Sequence, residues 1–375
     1  MRLFIEPVEP LLFRTGRPFD AGQGNFAESL FPPTPETLQG AVRATIATYW
    51  DSQKNIARAF DDPELTHLIG DQKSYGRFRV TGLALGRYPK TNPSVVERLL
   101  PPPAHIMKSG TQLYRLFPRQ LSASVMTNFP DGRGVYLDTE ETIDDLKPLE
   151  GWLAETDLAL TLGSGTLTGI ETVKKESICQ EESRLGIGIQ RGTKATEEGY
   201  LYQTVMIRMN HRQEQENVYG FVVDIHLSPL LPHDTPLRDE QLQQELHLPA
   251  SGWMTIGGEQ RTAYFRVLST PEKPVQATRG RSLLYLATPA VFDAGWRPSA
   301  HFAPLDAPLT AAVNRYESIG GWKLNADDAG GEQKVMYRCV PAGSVYFFDA
   351  QVTLPQALTD YGMEIGYGIT HEGEW

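Results

Sequence analysis

Arg2-Leu3-Phe4-Ile5-Glu6-Pro7, and then Thr34-Pro35-Glu36-Thr37-Leu38-Gln39-Gly40-Ala41-Val42-Arg43, set the fold class of this chain: a strand that gives way to a helix. Over Met1 to Phe13, Leu3 and Ile5 alternate with Arg2, Phe4 and Glu6, which is the period of a strand, and the prolines predict an edge or a bend. Thr34 is placed as an N-cap, with Pro35 at the first helical position, where its missing N–H costs nothing. Leu38, Val42, Ile46 and Tyr49 then recur along one helical stripe. Gln39 and Arg43 lie one turn apart on a neighbouring line, and Gly40, Ala41 and Ala44 leave room for close backbone packing.

Between strand and helix, Arg14-Thr15-Gly16-Arg17-Pro18-Phe19-Asp20-Ala21-Gly22-Gln23-Gly24 is rich in turn formers yet carries two arginines. From Arg77 to Pro130 short strands alternate with turns, including a hairpin in which Ala104 to Lys108 and Leu113 to Phe117 flank Ser109 to Gln112. Further strands are expected at Tyr200 to Met209, Tyr219 to Leu227, Ala263 to Leu268, Ser282 to Ala287 and Val345 to Val352, with short helices at Gln241 to Leu248 and Pro355 to Tyr361. The pattern is α+β with antiparallel sheets, in two domains, 1–165 and 166–375, compatible with a duplicated module.

Composition fits an ordinary folded protein: 375 residues, 40% hydrophobic and 22% charged. No apolar run approaches the roughly 20 residues needed to cross a bilayer, and the first residues meet acid and proline before a signal-peptide core can form. A cytoplasmic chain without a membrane partner is expected. Cys179 and Cys339 alone build neither a disulfide framework nor a cysteine zinc site.

The formal charge of -11 argues against indiscriminate nucleic-acid binding. From Gly70 to Arg119, however, nine bases (Lys73, Arg77, Arg79, Arg87, Lys90, Arg98, Lys108, Arg115 and Arg119) face only Asp71 and Glu97, a local balance of +7. That run is either a groove for phosphate or a solvated face.

Gly362-Met363-Glu364-Ile365-Gly366-Tyr367-Gly368-Ile369-Thr370-His371-Glu372-Gly373 contains G-x-G-x-x-x-x-G without the Lys-Ser/Thr of a nucleotide-hydrolysing loop. Two readings stay open. The glycines let backbone N–H groups approach phosphate, with Tyr367 and His371 able to stack or hydrogen-bond, or they form a plain turn. The eight histidines are scattered with no tight ligand spacing, Gly-x-Ser-x-Gly is absent, and the carboxylate pairs at Glu140-Glu141, Asp144-Asp145 and Glu181-Glu182 sit in polar surroundings. Neither a metal nor another cofactor is expected. Val218 to Asp224 partly imitates an aromatic RNA-recognition strand but lacks its leading Arg/Lys-Gly, so an ordinary core strand is expected there.

The opening Arg2 to Pro7, Leu12-Phe13-Arg14, Gly16-Arg17-Pro18-Phe19-Asp20-Ala21-Gly22, Glu28 to Pro33 and Thr37 to Arg43 resembles the start of the third subunit of the type III-B CRISPR Cmr module. The glycine-rich ending is similar to the signature of the wider RAMP (repeat-associated mysterious protein) superfamily. Arg184 to Ile189, Thr193 to Tyr202, Gly257-Gly258-Glu259 and Gly343 to Phe348 also resemble the family, whereas 85–165 carries little of it.

The resemblance implies two ferredoxin-like (RRM-like) βαββαβ domains of RAMP architecture and a non-catalytic place at the crRNA 5′ handle, beside the large polymerase-like subunit and the backbone RAMP subunit. On that footing the candidate RNA-binding residues are Arg14, Arg17, Gln39, Arg43, Lys108, Arg184, Arg191, Lys194, Gly366, Tyr367, Gly368 and His371. Two alternatives stand beside it. One is a metal-independent endoribonuclease cutting repeat RNA, with His371 as its acid–base group. The other is a protein-only assembly adaptor, which the acidic charge would suit.

Overall fold

The computed structural model describes residues 1–14, 26–54, 59–122, 134–189, 192, 196–210, 216–230, 235–270, 280–323 and 332–375. In chain order, the strands used below are β1 (Arg2–Pro7), β2 (Phe78–Pro89), β3 (Glu97–Leu100), β4 (Ile106–Ser109), β5 (Gln112–Arg115), β6 (Cys179–Ile189) and β7 (Thr196–Met209). They continue with β8 (Asn217–Leu227), β9 (Ser251–Ile256), β10 (Arg261–Leu268), β11 (Ser282–Leu286), β12 (Thr310–Ala312), β13 (Val345–Phe347) and β14 (Thr370–Glu374). The helices are α1 (Pro35–Lys54), α2 (Pro63–Ile69), α3 (Glu155–Leu162) and α4 (Asp239–Glu245).

Tertiary contacts gather the chain into two units, each drawn from three segments. Unit 1 takes Met1–Val96, Lys175–Thr270 and Ser318–Tyr337; unit 2 takes Glu97–Lys174, Pro271–Glu317 and Arg338–Trp375. Strands from both sides of residue 165 therefore share the unit 1 sheet. Its order is β2-β8-β1-β10-β9, antiparallel at every step.

β1 corrects one expectation. It is not an edge strand: Phe4 faces Val222 on one side and Arg266 on the other. Phe4 and Ile5 are both fully buried, so both faces of the strand are covered and the expected polar phase is missing. The proline does mark the bend. Pairing ends at Pro7, and the chain next meets the sheet-like bridge of Leu11 to Ile207. β8, which carries the stretch Val218 to Asp224, is bonded on both sides with Tyr219 and Phe221 buried, as a core strand should be.

α1 begins as its sequence dictates. Thr37 donates its N–H to Thr34 Oγ1 at 3.4 Å, and Leu38 donates to the Thr34 carbonyl. Its far end is held by aromatic contacts: Trp50, fully buried, stacks on His247 at 4.3 Å and donates its indole N–H to Asp62, the N-cap of α2. Tyr49 packs edge-on to Phe265, and its hydroxyl meets both backbone groups of Trp253 on the outermost strand, β9. An edge capped in this way offers less backbone to a foreign strand.

In unit 2 the main sheet runs β12-β13-β11-β14, also antiparallel, around buried Leu284, Tyr346 and Phe348. The hairpin of β4 and β5 closes more tightly than expected, Ser109 pairing with Gln112 around Gly110 at φ +59°. Two further expectations fail here. The strand begun at Val345 stops at Phe347, and Pro355 to Tyr361 is irregular, because its Leu358 N–H is given to Gly368 instead of a helical partner. The chain as a whole is α+β with several antiparallel sheets, and no described helix is long and apolar enough to cross a membrane.

His105 is fully buried in unit 2, edge-on to Phe347 at 5.7 Å. Burial, with the Arg115 cation as a smaller cause, pushes its pKa down from 6.5 to about 3. A folded-state value below the unfolded one means that stability is complete above pH 6.5 and is lost as pH falls toward 3. The expected loss is about 1.4 kcal/mol per pH unit below 6.5. Urea midpoints at pH 7.5 and 4.5 should show it, and His105→Phe should flatten that slope; an equal slope in the variant would clear His105.

Candidate nucleic-acid interface

The described residues on either side of 15–25 are tied to one another. Leu30 donates to the Phe13 carbonyl at 2.9 Å, Phe13 to Ser29 Oγ at 3.3 Å, and Arg14 bridges Ser29. Arg14 is exposed there and lines a cleft of about 200 Å3 with the first turn of α1 (Thr34, Glu36, Thr37) and with Ser318 to Gly321 and Lys334. Lys334 Nζ lies 3.2 Å from Glu36 Oε2. Two cations thus stand with the Glu36 carboxylate at the positive end of a 20-residue helix, an arrangement that suits an anionic group. Arg17 lies outside the described residues, as do Arg191 and Lys194.

Along α1, Gln39 is buried and donates to the Glu36 carbonyl at 3.1 Å, so it supports the helix more than it reaches outward. Arg43 donates to the carbonyls of Asp71 (2.8 Å) and Ser74 (3.3 Å) and lies over the Tyr75 ring at 5.2 Å. Partial burial lowers its pKa, Tyr75 and Asp71 opposing. Arg184, on β6, shares the Glu182 carboxylate with Arg208, both at 2.6 Å. That double pairing holds Glu182 below the usual carboxylate range, with Arg208 the larger cause.

The basic run 70–119 is divided between the two units, and much of it faces the protein's own carbonyls. Arg77 donates to Ser228, Arg79 to Gly76 and Phe78, Arg115 to Leu160 and Gly165, and Arg119 to Thr139. Arg98, 5% exposed, pairs with Glu155. Lys108 is half-buried on β4. Linear charge density overstates the surface available to phosphate.

The glycine-rich ending also differs from the phosphate-loop expectation. Gly362, Gly366 and Gly368 do adopt positive φ, +69°, +100° and +66°. The amides of Gly366, Tyr367 and Gly368 are given to protein carbonyls, however: Gly366 donates to Met363, Tyr367 to Gly362, and Gly368 to Pro289 at 2.8 Å. Tyr367 is fully buried against Tyr361, which leaves no ring face for a base, and His371 sits on β14 edge-on to Tyr285. Of the two readings of this segment, the geometry favours the turn that seats β14, because the amides of Gly366, Tyr367 and Gly368 go to protein carbonyls and Tyr367 has no exposed face on which a base could stack.

Lys334 and the Ser318 to Gly321 segment are not foreseen from sequence. They lie some three hundred residues from Arg14 along the chain, and no local pattern marks them. Among the described residues, no group of three or more His, Cys, Asp or Glu is placed to hold a metal ion, and both cysteines are buried outside any disulfide.

One family model runs along residues 3–375, and its description, CRISPR-associated protein (Cas_Cmr3), places this chain among the CRISPR-associated proteins. The chain belongs to the Cas_Cmr3 family, which bears out the resemblance read from its opening and ending motifs. No curated protein matches it. Among solved structures it is similar to a chain of the type III-B Cmr-beta complex bound to cognate target RNA and AMPPnP, at 16% identity and TM-score 0.46, over 92% of this chain and 86% of that one. A chain of the same complex bound to cognate target RNA alone has 18% identity, a TM-score of 0.46 and the same coverage.

Proposed function

We propose that this chain is a non-catalytic, crRNA-binding subunit of a type III-B CRISPR (Cmr) effector complex, holding the 5′ handle and docking the large polymerase-like subunit and the backbone RAMP subunit. Family membership over residues 3–375 carries this reading. The Arg14–Lys334 cleft is the described site that fits it best, because two cations line it together with the first turn of α1.

Strand order supports two ferredoxin-like domains. In unit 1, β1, α1, β2, β8, α4 and β10 follow one another as βαββαβ, and the sheet sets the fourth of these strands beside the first, then the third, then the second. Unit 2 repeats that spatial order with β11, β12, β13 and β14, its crossovers holding only short 3-10 turns.

Filter binding with repeat-derived RNA tests the reading. Arg14→Ala with Lys334→Ala is expected to weaken retention and to flatten its salt dependence by roughly one unit of slope for each phosphate no longer neutralised. Glu36→Gln removes a carboxylate from the cleft and should act in the opposite direction. The RNA should come through intact with or without chelator. Unchanged affinity and slope in a folded double variant would take the cleft out of the RNA path, and specific cleavage abolished by His371→Ala would replace a scaffold with a nuclease.

A further inference from the structure

A second cleft opens in unit 1, of about 520 Å3, lined by Gly40, Arg43 and Ala44 of α1, by Phe60, and by Asp71 to Lys73. We infer that it is a subsite for one unstacked nucleobase of single-stranded RNA together with its neighbouring phosphate. The inference rests on the RNA-binding reading above and adds a place and a chemistry to it.

Three observations converge on this ligand. Phe60 is 49% exposed, a large apolar ring beside the cavity and a platform for any base, since every base has a π-face. Gly40 sits inside a 20-residue helix, where glycine is unfavourable, yet a Cβ built there meets nothing within 4 Å. The chain's own packing does not demand that glycine. With Ala44 one turn on, it leaves a bare helix wall within the cavity.

The charge is placed for phosphate. Lys73 is exposed beside the opening and is the cation placed to meet phosphate, while Arg43, held by the Asp71 and Ser74 carbonyls with the Asp71 carboxylate acting on it, adds positive charge to the cavity wall. The acid in the lining, Asp71, is turned onto its own loop, accepting the N–H groups of Lys73 and Ser74 at 2.8 and 2.9 Å and the Ser74 hydroxyl at 3.3 Å. Gln72 adds an exposed amide that both donates and accepts, as hydrogen bonding to a base edge requires. A protein partner's apolar side chain would fill the same cavity but would have no use for Arg43 and Lys73 at its rim.

The test uses the full chain and repeat-derived RNA carrying 5-iodouridine at successive positions, irradiated and mapped by mass spectrometry, with filter binding in parallel. A crosslink at Phe60 confined to one or two RNA positions is expected. Phe60→Ala should lose the crosslink and weaken binding roughly 5- to 150-fold, the range for removing one stacked base. Gly40→Leu fills the cavity while improving helix propensity, so affinity should fall with no loss of melting temperature. Wild-type chain that retains RNA but gives no crosslink at Phe60, with both variants binding as wild type, overturns the subsite alone. Wild-type chain that retains no RNA overturns the subsite and the proposed function together. If Gly40→Leu keeps full RNA affinity but fails to co-purify with a co-expressed Cmr subunit, the cavity receives protein and the inference is wrong.

Discussion

Gly368→Val is expected to destabilise the fold by roughly 3 kcal/mol or more, enough to lower the melting temperature by about 6–12 °C. The backbone holds φ +66° there, a conformation that a β-branched residue rarely adopts, and a Cβ would lie 2.3 Å from the Leu358 carbonyl oxygen. Both backbone groups of Gly368 are already engaged, its N–H with Pro289 and its carbonyl with the Leu358 N–H. The residue is thus a junction that joins three segments of unit 2 just before β14. Any loss of RNA binding in this variant should therefore accompany unfolding, visible as a shifted urea midpoint and faster proteolysis. A Gly368→Val protein that melts within about 2 °C of wild type yet no longer retains RNA would restore the phosphate-cradle reading of the glycine-rich ending.

Local chemistry is legible wherever one short stretch decides its own conformation. Thr34 and Pro35 set the start of α1 because capping involves only neighbouring residues. The core character of β8 can be read in its run from Val218 to Val223, which shows no polar phase, as in a strand covered on both faces. The edge assignment of β1 fails because Pro7 lies at the last pair, where a missing N–H ends the ladder harmlessly, and so does not carry proline's usual meaning in a strand. Pro355 to Tyr361 escapes a local reading because its amides answer to Pro289–Gly368 geometry that no local window contains.

The site is harder to read than the fold. Arg14 stands out as a cation in a turn-rich loop, but its companion Lys334 comes from a distant segment. Arginines in the 70–119 run cannot be sorted by sequence into those that meet carbonyls and those that meet solvent. That sorting depends on where strands end, and an arginine beside an open carbonyl row binds it in place of an external anion.

The buried pair at the centre of the unit 1 sheet yields the largest single-residue effect. Arg2 donates from Nε to Asp224 Oδ1 at 2.6 Å and from a terminal nitrogen to Oδ2 at 2.8 Å, with the two residues 5% and 6% exposed. They are also partners in register, facing each other on β1 and β8. Gly82 on the neighbouring strand makes the space: a Cβ there would stand 2.5 Å from Asp224 Oδ2. Removing one partner leaves the other charge buried without its fork, so Asp224→Ala is expected to cost about 3–5 kcal/mol. Removing both is a different experiment. Arg2→Met with Asp224→Leu deletes the desolvation cost along with the attraction and should be closer to wild type than either single change. Because β1 leads into the segment that carries Arg14, the single variant should also lose RNA retention, and the double variant should recover it. Urea denaturation of the three proteins decides the matter. Single changes costing less than about 1 kcal/mol would mean that water reaches the pair, and a double variant as unstable as Asp224→Ala would mean that the sheet needs this ion pair for packing and not for charge.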